Sequence, residues 1–104
     1  MKKQLQLLIL FIAIFNHVFS QGGKVYDNLS MPSKILKMER KYAVYLPPGY
    51  ETSERSYPVL YLLHGGGDDQ TGWVQFGEVE NIADKAISEG KSTIAIFNPN
   101  FLHL

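Results

Sequence analysis

The chain of 104 residues contains no cysteine, so disulfide bonds and thiolate metal sites are excluded. Neither sign of charge is in excess, with ten basic and ten acidic residues. Nothing in this balance attracts nucleic acid or an anionic membrane surface. Long apolar runs are also missing, because none approaches the roughly 20 residues needed to span a bilayer. The fold must therefore depend on a small hydrophobic core.

The first twenty residues are typical of a secretory signal peptide. Met1-Lys2-Lys3 is positively charged, Leu5 to Phe15 is apolar except for Gln6, and a small residue, Ser20, follows. We predict residues 1–20 to be a signal peptide that is cleaved after Ser20, and the mature chain to be secreted or periplasmic. The alternative is an uncleaved anchor, but an apolar stretch of about eleven residues is short for that. No stable membrane anchor is expected after cleavage.

The mature part, residues 21–104, is large enough for one small domain. Lys24–Ser30 and Lys34–Met38 alternate loosely and predict two short strands with a break at Pro32. Arg40–Leu46 is rich in aromatic and branched residues and predicts a further strand. Prolines stop it at once, since proline cannot donate to a ladder. Short connections make these opening strands antiparallel to their neighbours.

A strand, a glycine-rich loop, a helix and a second strand follow. The run Val59–Leu63 is continuously apolar, which predicts a strand buried on both faces. Glu78–Glu89 predicts a helix that ends before Gly90, and Thr93–Phe97 predicts a second buried strand ended by Asn98-Pro99-Asn100. The helix carries one apolar stripe at helical spacing, formed by Val79, Ile82, Ala83, Ala86 and Ile87. This order is a βαβ unit with a parallel pair of strands.

The sequence His64-Gly65-Gly66-Gly67 comes directly after the first strand of this unit. Glycines permit backbone conformations that a Cβ forbids, and they let a ligand approach main-chain N–H groups closely. A tight turn between strand and helix is the simpler interpretation. Hydrolases place such a loop where an N–H can donate to a developing oxyanion.

The segments Tyr42–Tyr50 and Tyr57–Gly67 resemble the opening of the esterase family of α/β-hydrolases. That family includes esterase D, feruloyl and acetyl xylan esterases, enterochelin esterases and mycolyltransferases. The resemblance covers about residues 33 to 100 and only the first part of the family's domain. It implies an incomplete α/β fold, with antiparallel opening strands and then the βαβ unit. It also implies that the backbone N–H of Gly66, with Gly67 as the near alternative, belongs to the oxyanion hole.

The family's catalytic triad has no counterpart in the chain. The family places its serine in a Gly-x-Ser-x-Gly elbow after the next strand, with the acid and histidine later. None of the seven serines here has a glycine two residues away on both sides. No residue can therefore be assigned as nucleophile, acid or base, and no cofactor or metal is expected.

Other side chains near the loop have competing interpretations. His64 and Gly65 are expected to shape the loop rather than to perform catalysis. Asp68 and Asp69 suggest a metal or acid–base pair, but two adjacent acids are few for a hard cation and a solvated or loop-capping role is favoured. Trp73 and Phe76 either pack in the core or line a pocket beside the loop.

Two hypotheses for function follow. In the first, the chain is the N-terminal piece of a secreted serine esterase acting on small-molecule or polysaccharide-linked esters, such as feruloyl or acetyl groups. In the second, it is a truncated remnant or a small binding module without activity. In both, the fragment alone is expected to be inactive, because it has no nucleophile. It is also expected to be poorly soluble, because the strand Val59–Leu63 lacks the neighbour that the family's sheet gives it.

Overall fold

The computed structural model describes residues 1–19 and 22–101, with side chains at 1–12 and 22–101. The elements are α1 (Lys2–Phe19), β1 (Lys24–Ser33), β2 (Met38–Leu46), a 3₁₀ turn (Tyr50–Thr52), β3 (Val59–Tyr61), α2 (Gly72–Gln75), α3 (Val79–Ser88) and β4 (Ala95–Pro99). The strands form one sheet in the order β1-β2-β4-β3. β2 is antiparallel to β1 and to β4, whereas β3 and β4 are parallel. The predicted antiparallel opening and βαβ unit are thus confirmed.

The helix α1 occupies the predicted signal segment, and the leucines and isoleucine of its first half are exposed. Within residues 1–19 and 22–101, no helix combines the length and apolarity that a bilayer span requires. The predicted cleavage point after Ser20 lies outside the described residues. Signal function therefore stays a prediction.

The prediction of two short strands broken at Pro32 is wrong. β1 is continuous, and it pairs with β2 through Pro32, which lies opposite Glu39. Among the described residues, β2 is the only strand beside β1, so a proline whose nitrogen faces the open side of β1 removes no hydrogen bond of the sheet. Residues 34–37 form the turn between the two strands, in which Lys37 has a positive φ of 54°.

The second buried strand is shifted relative to its prediction. β4 begins at Ala95 and includes Asn98 and Pro99, which were expected to end it. The Asn100 amide donates to the Lys41 carbonyl (2.9 Å), so Pro99, one residue earlier, turns its nitrogen away from β2. β3 has already ended on that side, since its last partner is Phe97. A proline is therefore tolerated in a strand that lies between two others.

The core lies between the sheet and α3, where Tyr45, Val79, Ala83 and Ile96 pack together. Helix α3 confirms the predicted helix, and its C-terminus is closed by two bonds around Gly90, which has a φ of +72°. The Gly90 amide donates to Ile87 (3.0 Å) and the Lys91 amide to Ala86 (2.9 Å), the pattern of a Schellman motif.

One member of the predicted apolar stripe does not reach the core. Ile82 is 61% exposed, whereas Val79 and Ala83 are buried and Ala86 and Ile87 are partly buried. The surface of α3 that faces the sheet is narrower than the apolar stripe, so Ile82 lies at the side of the helix and outside the contact. No element among residues 22–101 covers that side.

The start of β1 is held to α3 by one carboxylate. Asp84 Oδ1 accepts hydrogen bonds from the hydroxyl of the fully buried Tyr45 (2.7 Å) and from the Gly23 amide (2.7 Å). A Cβ at Gly22 would come within 2.6 Å of Asp84 Oδ2, and one at Gly23 would collide with the Tyr45 ring. Burial, and next the bond to Asp84, raise the pKa of Tyr45 well above its usual value.

Candidate functional site

The glycine loop begins where β3 ends, at the carboxyl edge shared by the parallel strands β3 and β4. The Leu62 amide donates to the Phe97 carbonyl (2.9 Å), which extends the contact with β4 beyond the last residue of β3. The Trp73 indole N–H donates to the Leu63 carbonyl (2.9 Å). The first bond joins the start of the loop to β4, and the second joins it to α2, the helix that follows the loop. In open α/β sheets, this edge is where ligands bind.

The three glycines form an exposed turn. The Asp68 amide donates to the Gly65 carbonyl (3.2 Å), and Gly67 has a φ of +81°, a conformation that favours glycine. A Cβ at any of the three glycines would meet nothing within 4 Å. The amides of Gly66 and Gly67 donate no hydrogen bond to an acceptor in the described part of the chain. Both predicted oxyanion donors are therefore open to solvent, and their catalytic role stays a prediction.

His64 lies beneath this turn and is only 5% exposed. Its Nδ1 is 2.8 Å from the Gly65 carbonyl oxygen, and its Nε2 is 3.3 Å from Asn100 Oδ1. The ring stacks on Phe101, with centroids 4.3 Å apart and planes 24° apart. Both ring nitrogens are thus engaged within the loop and the end of β4. The ring's position fits a loop-shaping group better than a base that meets substrate.

The two adjacent aspartates cap the turn that leads into α2. Asp69 Oδ1 accepts from the Thr71 amide (2.8 Å) and hydroxyl (2.6 Å), and these bonds lower the pKa of the Asp69 carboxyl. Asp68 Oδ1 accepts from the Asp69 amide (2.8 Å), and its carboxylate lies against Gly72, where a Cβ would collide with it. Residues 1–19 and 22–101 contain no group of three or more acidic or histidine side chains that could hold a metal.

Trp73 lies on α2, the short helix that follows the loop, and Phe76 comes directly after that helix. Trp73 is 42% exposed and Phe76 is 80% exposed, so neither packs in the core of the described chain. The Trp73 ring also lies against Gly77, where a Cβ would come within 2.7 Å of it. The bond from its indole N–H to the Leu63 carbonyl places the Trp73 ring at the start of the loop. A pocket-lining role is compatible with that position and stays a prediction.

Three residues were missed from the sequence, namely Asn100 and Arg40, which support the loop, and Asn98, which is buried in β4. Asn100 contacts His64, and its carbonyl accepts a hydrogen bond from the Arg40 guanidinium. Asn98 is 1% exposed, and neither Nδ2 nor Oδ1 of its side chain has a hydrogen-bond partner among the described residues. The sequence does contain a sign of this arrangement, which is the asparagine on each side of Pro99 at the end of β4. Because the carboxyl ends of parallel strands lie at one edge of a sheet, these side chains could have been expected near the loop that follows β3.

Comparison with known proteins places this loop in a family. The model of the family described as "Putative esterase" matches residues 33–100, which is most of the chain. The chain belongs to this esterase family. The match includes β2, β3, the glycine loop, α3 and β4, and so confirms the resemblance on which the site was predicted.

Individual relatives agree with the family assignment. The chain is 44% identical over 52 residues to an endo-1,4-beta-xylanase/feruloyl esterase of Xylanibacter ruminicola, a match that covers 46% of this chain and 7% of that protein. It is 43% identical over 53 residues to an esterase of Mycobacterium tuberculosis, covering 51% of this chain and 11% of that protein.

Solved structures share the fold. A ferulic acid esterase superposes with a TM-score of 0.72 and 35% identity, covering 77% of this chain and 32% of that one. A ferulic acid esterase from Anaeromyces mucronatus gives 0.67 and 26% identity, covering 79% and 30%. This esterase chain thus spans about a third of the structures that it matches and about a tenth or less of these curated relatives. It holds the opening part of an α/β-hydrolase sheet.

Proposed function

We propose that this chain supplies the oxyanion loop of a secreted serine esterase, with the Gly66 amide as one donor and Gly67 as the near alternative. The observation that carries the proposal is the free Gly66 amide at the carboxyl edge of β3 and β4. It has no acceptor in residues 22–101, and no side chain stands within 4 Å of the position of a Cβ there. A carbonyl oxygen of a substrate can therefore approach it closely.

The chemistry is acyl transfer by an activated serine. A histidine takes the serine proton as the hydroxyl attacks the ester carbonyl, and negative charge develops on the carbonyl oxygen. Two backbone N–H groups stabilise that charge, one from Gly66 and one from the residue after the serine. One such donor is worth about 10²–10³ in kcat. The serine, the acid and the histidine would come from a continuation of this chain.

The substrate class we propose is a feruloyl or acetyl ester carried by a plant polysaccharide. The relative of Xylanibacter ruminicola is named both a xylanase and a feruloyl esterase, and the structural relatives include ferulic acid esterases. Trp73, which is bonded to Leu63 at the start of the loop, and Phe76, just after α2, expose aromatic surface, which suits an aromatic acyl group. A siderophore ester is the nearest alternative substrate.

The nucleophile is proposed to be a serine. A Staphylococcus aureus protein described as a fluorophosphonate-binding serine hydrolase superposes with a TM-score of 0.59 and 25% identity. Because no serine of the present chain lies in a glycine-flanked elbow, we expect the 104 residues alone to hydrolyse p-nitrophenyl acetate no faster than buffer. Turnover by this chain, abolished by a serine-directed inhibitor, would contradict that expectation.

The test is to read the coding DNA beyond the codon of Leu104 in all three frames. The proposal predicts a Gly-x-Ser-x-Gly sequence about one βα segment further on. The protein expressed with this continuation should hydrolyse methyl ferulate or p-nitrophenyl acetate and react with a fluorophosphonate probe. A stop in every frame without that motif would instead support the truncated remnant or small binding module.

A further inference from the structure

We infer that Asn100 is a positioning residue that acts through His64 to fix the direction of the Gly66 N–H. The inference rests on the proposed function only for its catalytic meaning, because the geometry itself can be measured without activity. It starts from one peptide unit, the bond between Gly65 and Gly66. This unit carries the Gly65 carbonyl on one side and the Gly66 N–H on the other.

The direction of the Gly66 N–H follows from the planarity of this peptide. A trans peptide holds its C=O and N–H in one plane, pointing in opposite directions. The Gly65 oxygen is drawn inward by His64 Nδ1 (2.8 Å) and by the Asp68 amide (3.2 Å). The Gly66 N–H must then point away from the buried ring of His64. Loss of the His64 bond would free the plane to rotate about its flanking glycine torsions.

The hydrogen bond from Nδ1 determines the protonation of the His64 ring. A carbonyl oxygen only accepts, so Nδ1 must carry a proton, and in the neutral ring Nε2 then has only a lone pair. Nε2 lies 3.3 Å from the atom placed as Asn100 Oδ1. The oxygen and NH₂ group of a side-chain amide are assigned from the hydrogen-bond network, and we infer the reverse orientation here, because an unprotonated Nε2 needs a donor. In that orientation Asn100 supports the tautomer that the bond to the Gly65 carbonyl requires, with the proton on Nδ1.

Asn100 is itself held firmly on β2. Its amide donates to the Lys41 carbonyl (2.9 Å), and its carbonyl accepts a hydrogen bond from the Arg40 guanidinium. The next residue, Phe101, stacks on the His64 ring. The side-chain amide thus projects from a backbone that is bonded on both sides of the residue. It can orient a ring that has no other polar partner at Nε2 within residues 22–101.

The test is nitrogen NMR on the ¹⁵N-labelled 104-residue chain at about pH 8, above the ordinary histidine pKa of about 6.5. Magic-angle spinning reads both ring nitrogens in a soluble or a sedimented sample. We expect a protonated signal at Nδ1 and an unprotonated signal at Nε2. We also expect the Gly66 N–H to be rigid despite its exposure, with an order parameter near 0.85.

The variant Asn100→Leu keeps the size of the side chain and removes its hydrogen bonds. It should shift the His64 proton toward Nε2 and lower the Gly66 order parameter below about 0.6. The matched control is Asn81→Leu, which removes an exposed asparagine on α3 and should change neither signal. Backbone shifts of β2 and β4 report whether each variant keeps the fold.

Two results would overturn the inference. One is an Nε2-protonated ring in the unsubstituted chain, which decides the matter even where Asn100→Leu fails to fold. The other is a folded Asn100→Leu chain with an unchanged tautomer and an equally rigid Gly66. Neither result bears on whether the longer protein hydrolyses esters, so failure here and failure of the proposed function are separable.

Discussion

The two edges of the sheet expose different kinds of surface. β1 carries charged and polar residues, a register shift between Tyr26 and Leu29, and a proline, all of which are devices that discourage another strand from pairing. β3 is three apolar residues, Val59, Leu60 and Tyr61, that are 48%, 43% and 64% exposed. Their sequence predicts burial on both faces, and in this chain that prediction is wrong.

The backbone of β3 is as open as its side chains. Pro58 accepts from the Ala95 amide and Leu62 donates to Phe97, so the alternation along a strand turns the peptide groups of Val59 and Tyr61 away from β4. These groups meet no further strand among the described residues. The composition of β1 is therefore that of an edge strand, whereas the composition of β3 is that of an interior strand. The comparison teaches that an apolar run suits a strand with neighbours on both sides, which β3 does not have among the described residues.

The largest expected effect comes from a charge on the β3 edge. Tyr61→Lys should move most of the isolated chain from the insoluble to the soluble fraction, because lysine blocks edge-to-edge pairing. In the longer protein that we propose, where a further strand would cover this edge, the same change should cost about 3–5 kcal/mol, as expected for an uncompensated buried charge. Soluble yield and urea unfolding measure the two effects. The matched control, Tyr26→Lys on β1, should change neither the soluble yield nor the free energy of unfolding greatly. Equal effects of the two substitutions would show that the two edges do not differ in this way.

The second effect tests the link that holds β1 to α3. Asp84→Ala leaves the buried Tyr45 hydroxyl and the Gly23 amide without their acceptor. The buried hydroxyl costs about 1–3 kcal/mol when unsatisfied and the partly buried Gly23 amide about 1 kcal/mol, at the low end of that range, so we expect a loss of about 2–4 kcal/mol in the free energy of unfolding. Urea titration of the soluble Tyr61→Lys chain, with and without Asp84→Ala and followed by the fluorescence of Trp73, measures it. A loss below about 0.5 kcal/mol would show that the β1 side is not anchored in this way.

The third effect is a pH dependence that comes from Tyr45. Its pKa is raised in the folded chain, so the folded state retains a proton that the unfolded state loses above about pH 10. The stabilisation is complete below that pH and falls as pH rises, by up to about 1.4 kcal/mol per pH unit. Tyr45→Phe should flatten this slope, and Tyr26→Phe at the exposed edge should not. A slope unchanged by Tyr45→Phe would contradict the assignment.

The smallest effect concerns the ion pair on the β1 side. Lys24 Nζ lies 3.4 Å from Glu51 Oε2, and both side chains are more than half exposed. Exposed pairs contribute about 0–1 kcal/mol, so Glu51→Gln should change the free energy of unfolding by about 0.5 kcal/mol or less. Urea unfolding at low and high salt measures it. A loss as large as that of Asp84→Ala would show that surface charge, rather than the buried link, holds this edge.

Much of the fold could be predicted from local pattern. The strand after Arg40, the helix before Gly90 and the parallel pair follow from periodicity and turn residues, which act within a few positions. Pro32 and Pro99 could not be placed correctly, because whether a proline breaks a strand depends on which side of it faces a neighbour. The prediction that Val59–Leu63 is buried failed for a related reason, because the burial of a strand depends on which other strands lie beside it in the sheet.

The candidate site also has one part that could be predicted from local sequence and one part that could not. The glycine loop is contiguous in sequence and could be predicted, whereas its supports come from elsewhere in the chain. Asn100 and Arg40 are 60 residues apart, and Asp84 reaches Gly23 across 61 residues. No spacing rule connects such pairs. Asn98 shows the limit most plainly, because a buried polar side chain without a partner in the described part of the chain contradicts the pattern by which strands are predicted.

The most direct test of the oxyanion role is kcat of the longer esterase with Gly66→Pro and with Gly66→Ala. Proline removes the N–H, and Gly65 before it has no Cβ to meet the proline ring. Alanine keeps the N–H, and its Cβ meets nothing within 4 Å. We predict that Gly66→Pro lowers kcat by about 10²–10³ with KM nearly unchanged, while Gly66→Ala stays close to the unsubstituted enzyme. A folded Gly66→Pro enzyme with an undiminished kcat would contradict the account.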